Sequence, residues 1–169
     1  MDSRFLCSIF IFLFCKVYCT TTPPIKCKIV RSAILGAIPE LKLHHVIVMQ
    51  TTIMKNDVYV IDFSPIHQSS IKTLLRLLFA RRVPAETRLR FIKNGSLMND
   101  NELIESWYNT NVTDTNVSQK ISRRIFMSIR DKTLKNQIAE ILQWDSHMNL
   151  YNRNCQHFSE FVVNKFCNK

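Results

Sequence analysis

The chain reads as an α+β protein in which an antiparallel sheet packs against a C-terminal helix. Two observations predict this. Leu43-His44-His45-Val46-Ile47-Val48-Met49 and Val58-Tyr59-Val60-Ile61-Asp62-Phe63 are β-branched, apolar runs on either side of a Lys55-Asn56-Asp57 turn, the pattern of a β-hairpin. Near the other end, Phe158, Phe161, Val162 and Phe166 recur at the i, i+3, i+4 spacing of one buried helix face. Asn154 and Cys155 stand just before that stripe, so Asn154 is expected to cap the helix and Cys155 to sit in its first turn.

The remaining elements follow in order. Residues 1–19 read as an export signal, either a cleaved signal peptide or an uncleaved signal anchor: Arg4, an uncharged run over 5–15 that is apolar apart from Ser8, then Val17-Tyr18-Cys19. The run is shorter than the about 20 apolar residues that a membrane span needs. Residues 25–169 are expected to form a single domain, and a secretory-pathway product, secreted or membrane-anchored, is expected. Residues 25–38 read as a strand followed by a short helix ended near Pro39. Ser69 and Ser70 can cap a helix over 71–82 that Pro84 stops, with Ile71, Leu74, Leu75, Leu78 and Phe79 as a stripe expected to pack on the core, in preference to a membrane-binding one. Residues 87–92 alternate as a strand, 99–107 form a short helix, and 109–119 form an exposed loop. A strand over 122–129 and an amphipathic helix over 134–144, capped by Asp131, complete the expectation.

At 169 residues, with 46% hydrophobic and 21% charged positions, the chain has the composition of a globular protein with a real core. Its 2 glycines exclude a glycine-rich phosphate loop. The net charge of +10 biases it toward anionic partners. Loss of residues 1–19 removes Arg4, Lys16 and Asp2 and leaves +9, so the basic character belongs to the domain. Basic residues are scattered, apart from Arg81-Arg82, Arg88/Arg90 and Arg123-Arg124, and no nucleic-acid module is recognisable; a nucleic-acid partner is not expected. Oligomeric state is not legible.

Three of the 6 cysteines, Cys7, Cys15 and Cys19, lie in the signal. Of the remaining three, Cys27 and Cys167 are expected to pair in an oxidising compartment, leaving Cys155 free. Asn94-Gly95-Ser96, Asn111-Val112-Thr113 and Asn116-Val117-Ser118 match the glycosylation acceptor pattern.

A thiol in the first turn of a helix feels the positive end of the helix dipole, which favours thiolate. A nucleophilic cysteine also needs a base, and the base an orienting group. His157 is two residues beyond Cys155, where helical side chains do not share a face, and is a poor base. A strand histidine facing the helix start is better placed. On the first hairpin strand His44, Val46 and Val48 share one face, while His45 and Ile47 share the other. Asp62 is the one carboxylate in the returning strand. No metal-ligand spacing of the Cys-x-x-Cys or His-x-x-x-His kind occurs, and neither metal nor cofactor is expected.

Tyr151 followed by Asn154-Cys155-Gln156-His157-Phe158 resembles the Asn-Cys-Glu-His-Phe box of the lecithin:retinol acyltransferase family. His44-His45-Val46-Ile47-Val48-Met49 resembles that family's His-His-Gly-Ile-Tyr-Val strand. The order, histidine strand early and cysteine helix late, is that of circularly permuted papain-like proteins. The resemblance implies His44 as base, Asp62 as orienting residue and Cys155 as nucleophile, with His45 as the base if the register is shifted by one. Asp62 stands where family members usually carry histidine, Gln156 replaces glutamate, and the glycines after the histidine strand are absent. The implied activity is a thiol-dependent acyltransferase or lipid ester hydrolase working at an anionic membrane surface. A cysteine amidase or peptidase, and a non-enzymatic membrane or virion interaction protein, are the alternatives. The Ile/Asn/Lys-rich, glycine-poor composition is also similar to that of proteins from AT-rich viral genomes.

Overall fold

The structure is a computed structural model that describes residues 25–32, 44–51, 55–67, 70–110 and 115–167. The expected export signal and the helix expected before Pro39 lie outside the described residues. Five strands, β1 (Lys26–Ser32), β2 (His44–Gln50), β3 (Val58–Pro65), β4 (Val83–Ile92) and β5 (His147–Met148), form one antiparallel sheet in sequential order. The helices are α1 (Ile71–Leu78), α2 (Asp100–Thr110), α3 (Thr115–Ser128), α4 (Lys132–Leu142) and α5 (Cys155–Val162), the last running on into a π-helical turn, Val163–Cys167. The α+β architecture and the β2–β3 hairpin therefore stand as the sequence predicts.

Alternation along the strands divides the core in two. Ile47, Met49, Ile61, Phe63 and Leu89 point to one face, where Leu134, Ile138 and Ile141 of α4 and Phe158 and Val162 of α5 cover them. Val30, Val46, Val48, Val58, Val60 and Ile92 point to the other, against Leu103 and Trp107 of α2. A disulfide between Cys27 and Cys167 ties β1 to the end of the chain across 140 residues, and Cys155 is the free thiol among the described cysteines. Constraining so long a loop limits the unfolded chain. Replacing both Cys27 and Cys167 with serine is expected to cost about 2–5 kcal/mol in denaturant unfolding, and reductant is expected to bring the wild type down to the same midpoint.

Three expectations are corrected. Residues 122–128 are helical and with 115–121 make α3; of the expected loop over 109–119, residues 109–110 close α2 and 115–119 open α3, while 111–114 lie outside the described residues. The error has a physical source. The inward positions of α3 include Ser118 and Ser122, four apart, whose hydroxyls accept from the buried Arg90 guanidinium at 2.8 and 3.1 Å. A polar inner face hides the 3.6-residue period, and the apolar run Ile125-Phe126-Met127 with Ile129 then reads as strand. Ser122 Oγ also accepts from the Leu89 amide at 3.1 Å, so α3 covers an open edge of β4.

Helix α1 is shorter than 71–82. Ala80 adopts a left-handed φ of 58°, and the Arg81 amide donates to the Arg76 carbonyl at 2.8 Å, closing the helix well before Pro84. Strand β4 starts at Val83, with Pro84 tolerated in the short pairing to β5, where its own carbonyl accepts from the Ile66 amide. The third correction concerns the α1 stripe. Leu77 is the buried residue of this helix, while Ile71, Leu75, Leu78 and Phe79 face outward.

Candidate active site

Asn154 starts α5 as the sequence leads one to expect. Its backbone is extended, and its side-chain carbonyl accepts from the amides of Gln156 at 2.9 Å and His157 at 3.0 Å. His157 Nδ1 donates to the same oxygen at 2.8 Å, so this imidazole belongs to the cap. Cys155 follows in the first turn, 8% exposed.

Helix α5 begins beside the first residues of β2. The thiol there is hydrogen-bonded to the His44 imidazole and accepts from the His45 backbone N–H. His44 Nε2 lies 3.1 Å from Asp62 Oδ2. A carboxylate only accepts, so Nε2 carries the proton toward Asp62 and Nδ1 is the nitrogen left for the thiol. The hairpin register explains this meeting: Val46 stands opposite Asp62, which puts His44 and Asp62 on one face as diagonal neighbours. The structure thus brings His44, Asp62 and Cys155 together.

His45 goes elsewhere. Its Nδ1 lies 2.9 Å from Ser159 Oγ, a hydroxyl that itself donates to the Gln156 carbonyl at 2.8 Å, so the imidazole is the donor. Burial, Arg31 and His44 together hold the His45 pKa below its ordinary value. Its side chain braces β2 against α5 while its amide faces the thiol.

Around Asp62 the structure adds residues that the sequence reading passed over. Arg88, directly opposite on β4, donates through Nε and Nη2 to the carboxylate; Ser64 Oγ donates to Asp62 Oδ2 at 2.5 Å and accepts from Arg88 Nη2 at 2.6 Å. Asp62 is fully buried and Arg88 nearly so. Trp107 of α2 lies under both cations, its ring 5.9 Å from the His44 ring and 5.2 Å from the Arg88 guanidinium carbon. Ser64 was legible in principle, since it stands two residues from Asp62 on the same strand face. Arg88 needed the β3–β4 register, and Trp107 carried no signal.

The electrostatics follow from this geometry. Burial would push the Asp62 carboxyl up, but Arg88 and the His44 hydrogen bond hold it far below the usual carboxylate range. Burial would push His44 down; the hydrogen bond to Asp62, with the thiol beyond, raises it to about 9 instead. Burial would likewise raise the Cys155 thiol, yet the His44 hydrogen bond and charge and the His45 N–H bring it below its ordinary value. The two shifts act in one direction, favouring the thiolate of Cys155 and the imidazolium of His44 relative to the same groups apart.

Among the other expected sites, Asn94 is exposed with a left-handed φ of 56° beside the 3₁₀ turn Gly95–Leu97. Asn111 lies outside the described residues, and the side chain of Asn116 does also. No cluster of three metal-ligating side chains occurs among the described residues. Comparison of the chain with family models, with curated proteins and with solved structures returns no match.

Proposed function

We propose that the protein is a thiol-dependent acyl hydrolase or acyltransferase of the permuted papain-like kind, acting on a lipid ester in the secretory pathway or at a membrane facing it. One observation carries this reading: a free thiol at a helix start hydrogen-bonded to an imidazole whose other nitrogen is held by a buried carboxylate. The Cys27–Cys167 disulfide supports an oxidising compartment. The resemblance to the lecithin:retinol acyltransferase boxes supports an ester of a lipid over a peptide bond.

In this reading His44 Nδ1 takes the Cys155 proton, and the thiolate attacks the ester carbonyl carbon. The developing oxyanion lies at the positive end of α5, near the Cys155 amide. Collapse of the tetrahedral adduct breaks the carbon–oxygen bond of the ester. The leaving alcohol takes its proton from His44, and an acyl thioester remains on Cys155. Water or an acceptor alcohol then attacks the thioester, giving its proton to His44, and the thiol is regenerated as that proton returns to sulfur. Asp62 stays ionised throughout, fixing the tautomer and stabilising the imidazolium.

Incubation with a short-chain phospholipid is expected to release fatty acid and to leave an acyl mass increment on the peptide carrying Cys155. Cys155→Ala is expected to lose both. Equal turnover by wild type and Cys155→Ala would remove the proposal in favour of a non-enzymatic interaction protein.

A further inference from the structure

We infer that α1 and the turn before Cys155 form a docking surface for an anionic phospholipid bilayer. The helix places Ile71, Leu75, Leu78 and Phe79 at i, i+4, i+7 and i+8, one continuous outward stripe; Ile71 and Phe79 are each 74% exposed. Its inner side, Leu77 with the half-buried Thr73 and Leu74, already supplies the contact with the sheet, so the outer stripe is surplus to folding. An apolar face of this kind on a short surface helix is the pattern of a helix lying in a membrane interface.

The charges beside the stripe say what covers it. A shallow depression of about 550 Å³ is lined by Ile71, Leu75 and Phe79 together with Lys72, Arg76 and Arg81. All three cations are exposed, Arg82 follows, and the helix carries no acidic residue. Apolar side chains flanked by cations match acyl chains below a layer of phosphate and carboxylate headgroups. The chain's own apolar segment at 5–15 is a poorer match, because it is flanked by Arg4 and Lys16 and offers no anion.

The surface also reaches the candidate site. Asn149 Nδ2 donates to the Ala80 carbonyl at 2.6 Å, joining the end of α1 to the turn that leads into α5. That turn exposes Leu150 and Tyr151, and Asn154 Nδ2 donates back to the Leu150 carbonyl at 2.6 Å. A bilayer seated on Phe79 and Tyr151 would therefore lie beside the start of the helix bearing Cys155. The purpose of such docking rests on the reading of a membrane lipid as substrate, whereas its geometry does not.

The test separates the two by using the full chain with Cys155→Ala, which cannot turn over. Phe79→Trp on that background introduces a reporter whose emission is compared with its parent on phosphatidylserine-containing vesicles carrying brominated lipid. The expected result is quenching of the introduced indole beyond the parent's native tryptophans, absent on pure phosphatidylcholine and relieved by salt. Ile71→Ser with Phe79→Ser, both at exposed positions, is expected to weaken vesicle binding by at least about tenfold. Three results would overturn the inference: no added quenching on anionic vesicles, binding unchanged in the double variant, or a lipid-free dimer by light scattering that the double variant abolishes. Absence of lipid hydrolysis by the wild-type chain on vesicles that still quench the introduced indole would overturn the proposed chemistry alone.

Discussion

Asp62→Ala is expected to lose about 3–5 kcal/mol of unfolding free energy, because it leaves the buried Arg88 guanidinium without its counterion. The penalty is that of an uncompensated buried charge and exceeds what the ion pair itself contributes. It follows that Asp62→Ala with Arg88→Met, which removes both charges and keeps much of the volume against Trp107, is expected to recover most of the loss. Denaturant midpoints of the wild type and the two variants check this. The pH dependence has a defined sign. Asp62 has a folded pKa far below its reference value of 3.8, so its contribution is complete above that value and is lost only as pH falls through the depressed one. The stability difference between wild type and Asp62→Ala is therefore expected to persist to acid pH and to shrink only below the ordinary carboxylate range. Restoring stability with the double variant is not expected to restore thiol acidity, since His44 would still lack its partner.

His44→Gln is expected to have the largest effect on reactivity. With His44 gone, the interactions that lower the Cys155 pKa lose their chief contributor and the opposing effect of burial remains. A thiol of ordinary pKa, about 8.5, is only about 1% thiolate at pH 6.5, and a buried one without a cation is less ionised still. Alkylation of Cys155 at that pH is expected to fall accordingly, while Cys27 and Cys167 stay in their disulfide and give no competing signal. His45→Gln is expected to leave thiol acidity nearly unchanged, because it is the His45 backbone amide that faces the sulfur, while its side chain packs on Ser159.

Much of the site was legible from local pattern alone. The apolar runs and turn of the hairpin marked Asp62 as a partner for a histidine of the first strand, and Asn154 with the stripe after it put Cys155 in a first turn; each depends on neighbours within a few residues, whereas the resemblance singled out His44 and the β2–β3 register sets it on the face of Asp62. What was not legible depends on long-range pairing. Arg88 is an arginine in an alternating strand until the β3–β4 register sets it against Asp62. Trp107 becomes part of the site only when α2 packs across that face. The misread segment 122–129 shows the same limit from the other side, since Ser118 and Ser122 are buried to serve Arg90, a partner that the local sequence does not disclose. For α1 the period was read correctly, but apolarity alone does not say whether a stripe faces a core or another apolar phase. Only the packing of Leu77 separates its inner side from its outer one.

In the proposed chemistry His44, held by Asp62, turns Cys155 into a thiolate. The most direct test is the rate of Cys155 alkylation by iodoacetamide as a function of pH, measured on wild type and His44→Gln with the disulfide intact. For wild type the rate is expected to rise with a midpoint below that of an ordinary thiol, about 8.5, with a further inflection as His44 deprotonates near 9. For His44→Gln a single midpoint at or above the ordinary value is expected. Coincident profiles for the two proteins, both with the midpoint of an unassisted thiol, would contradict it.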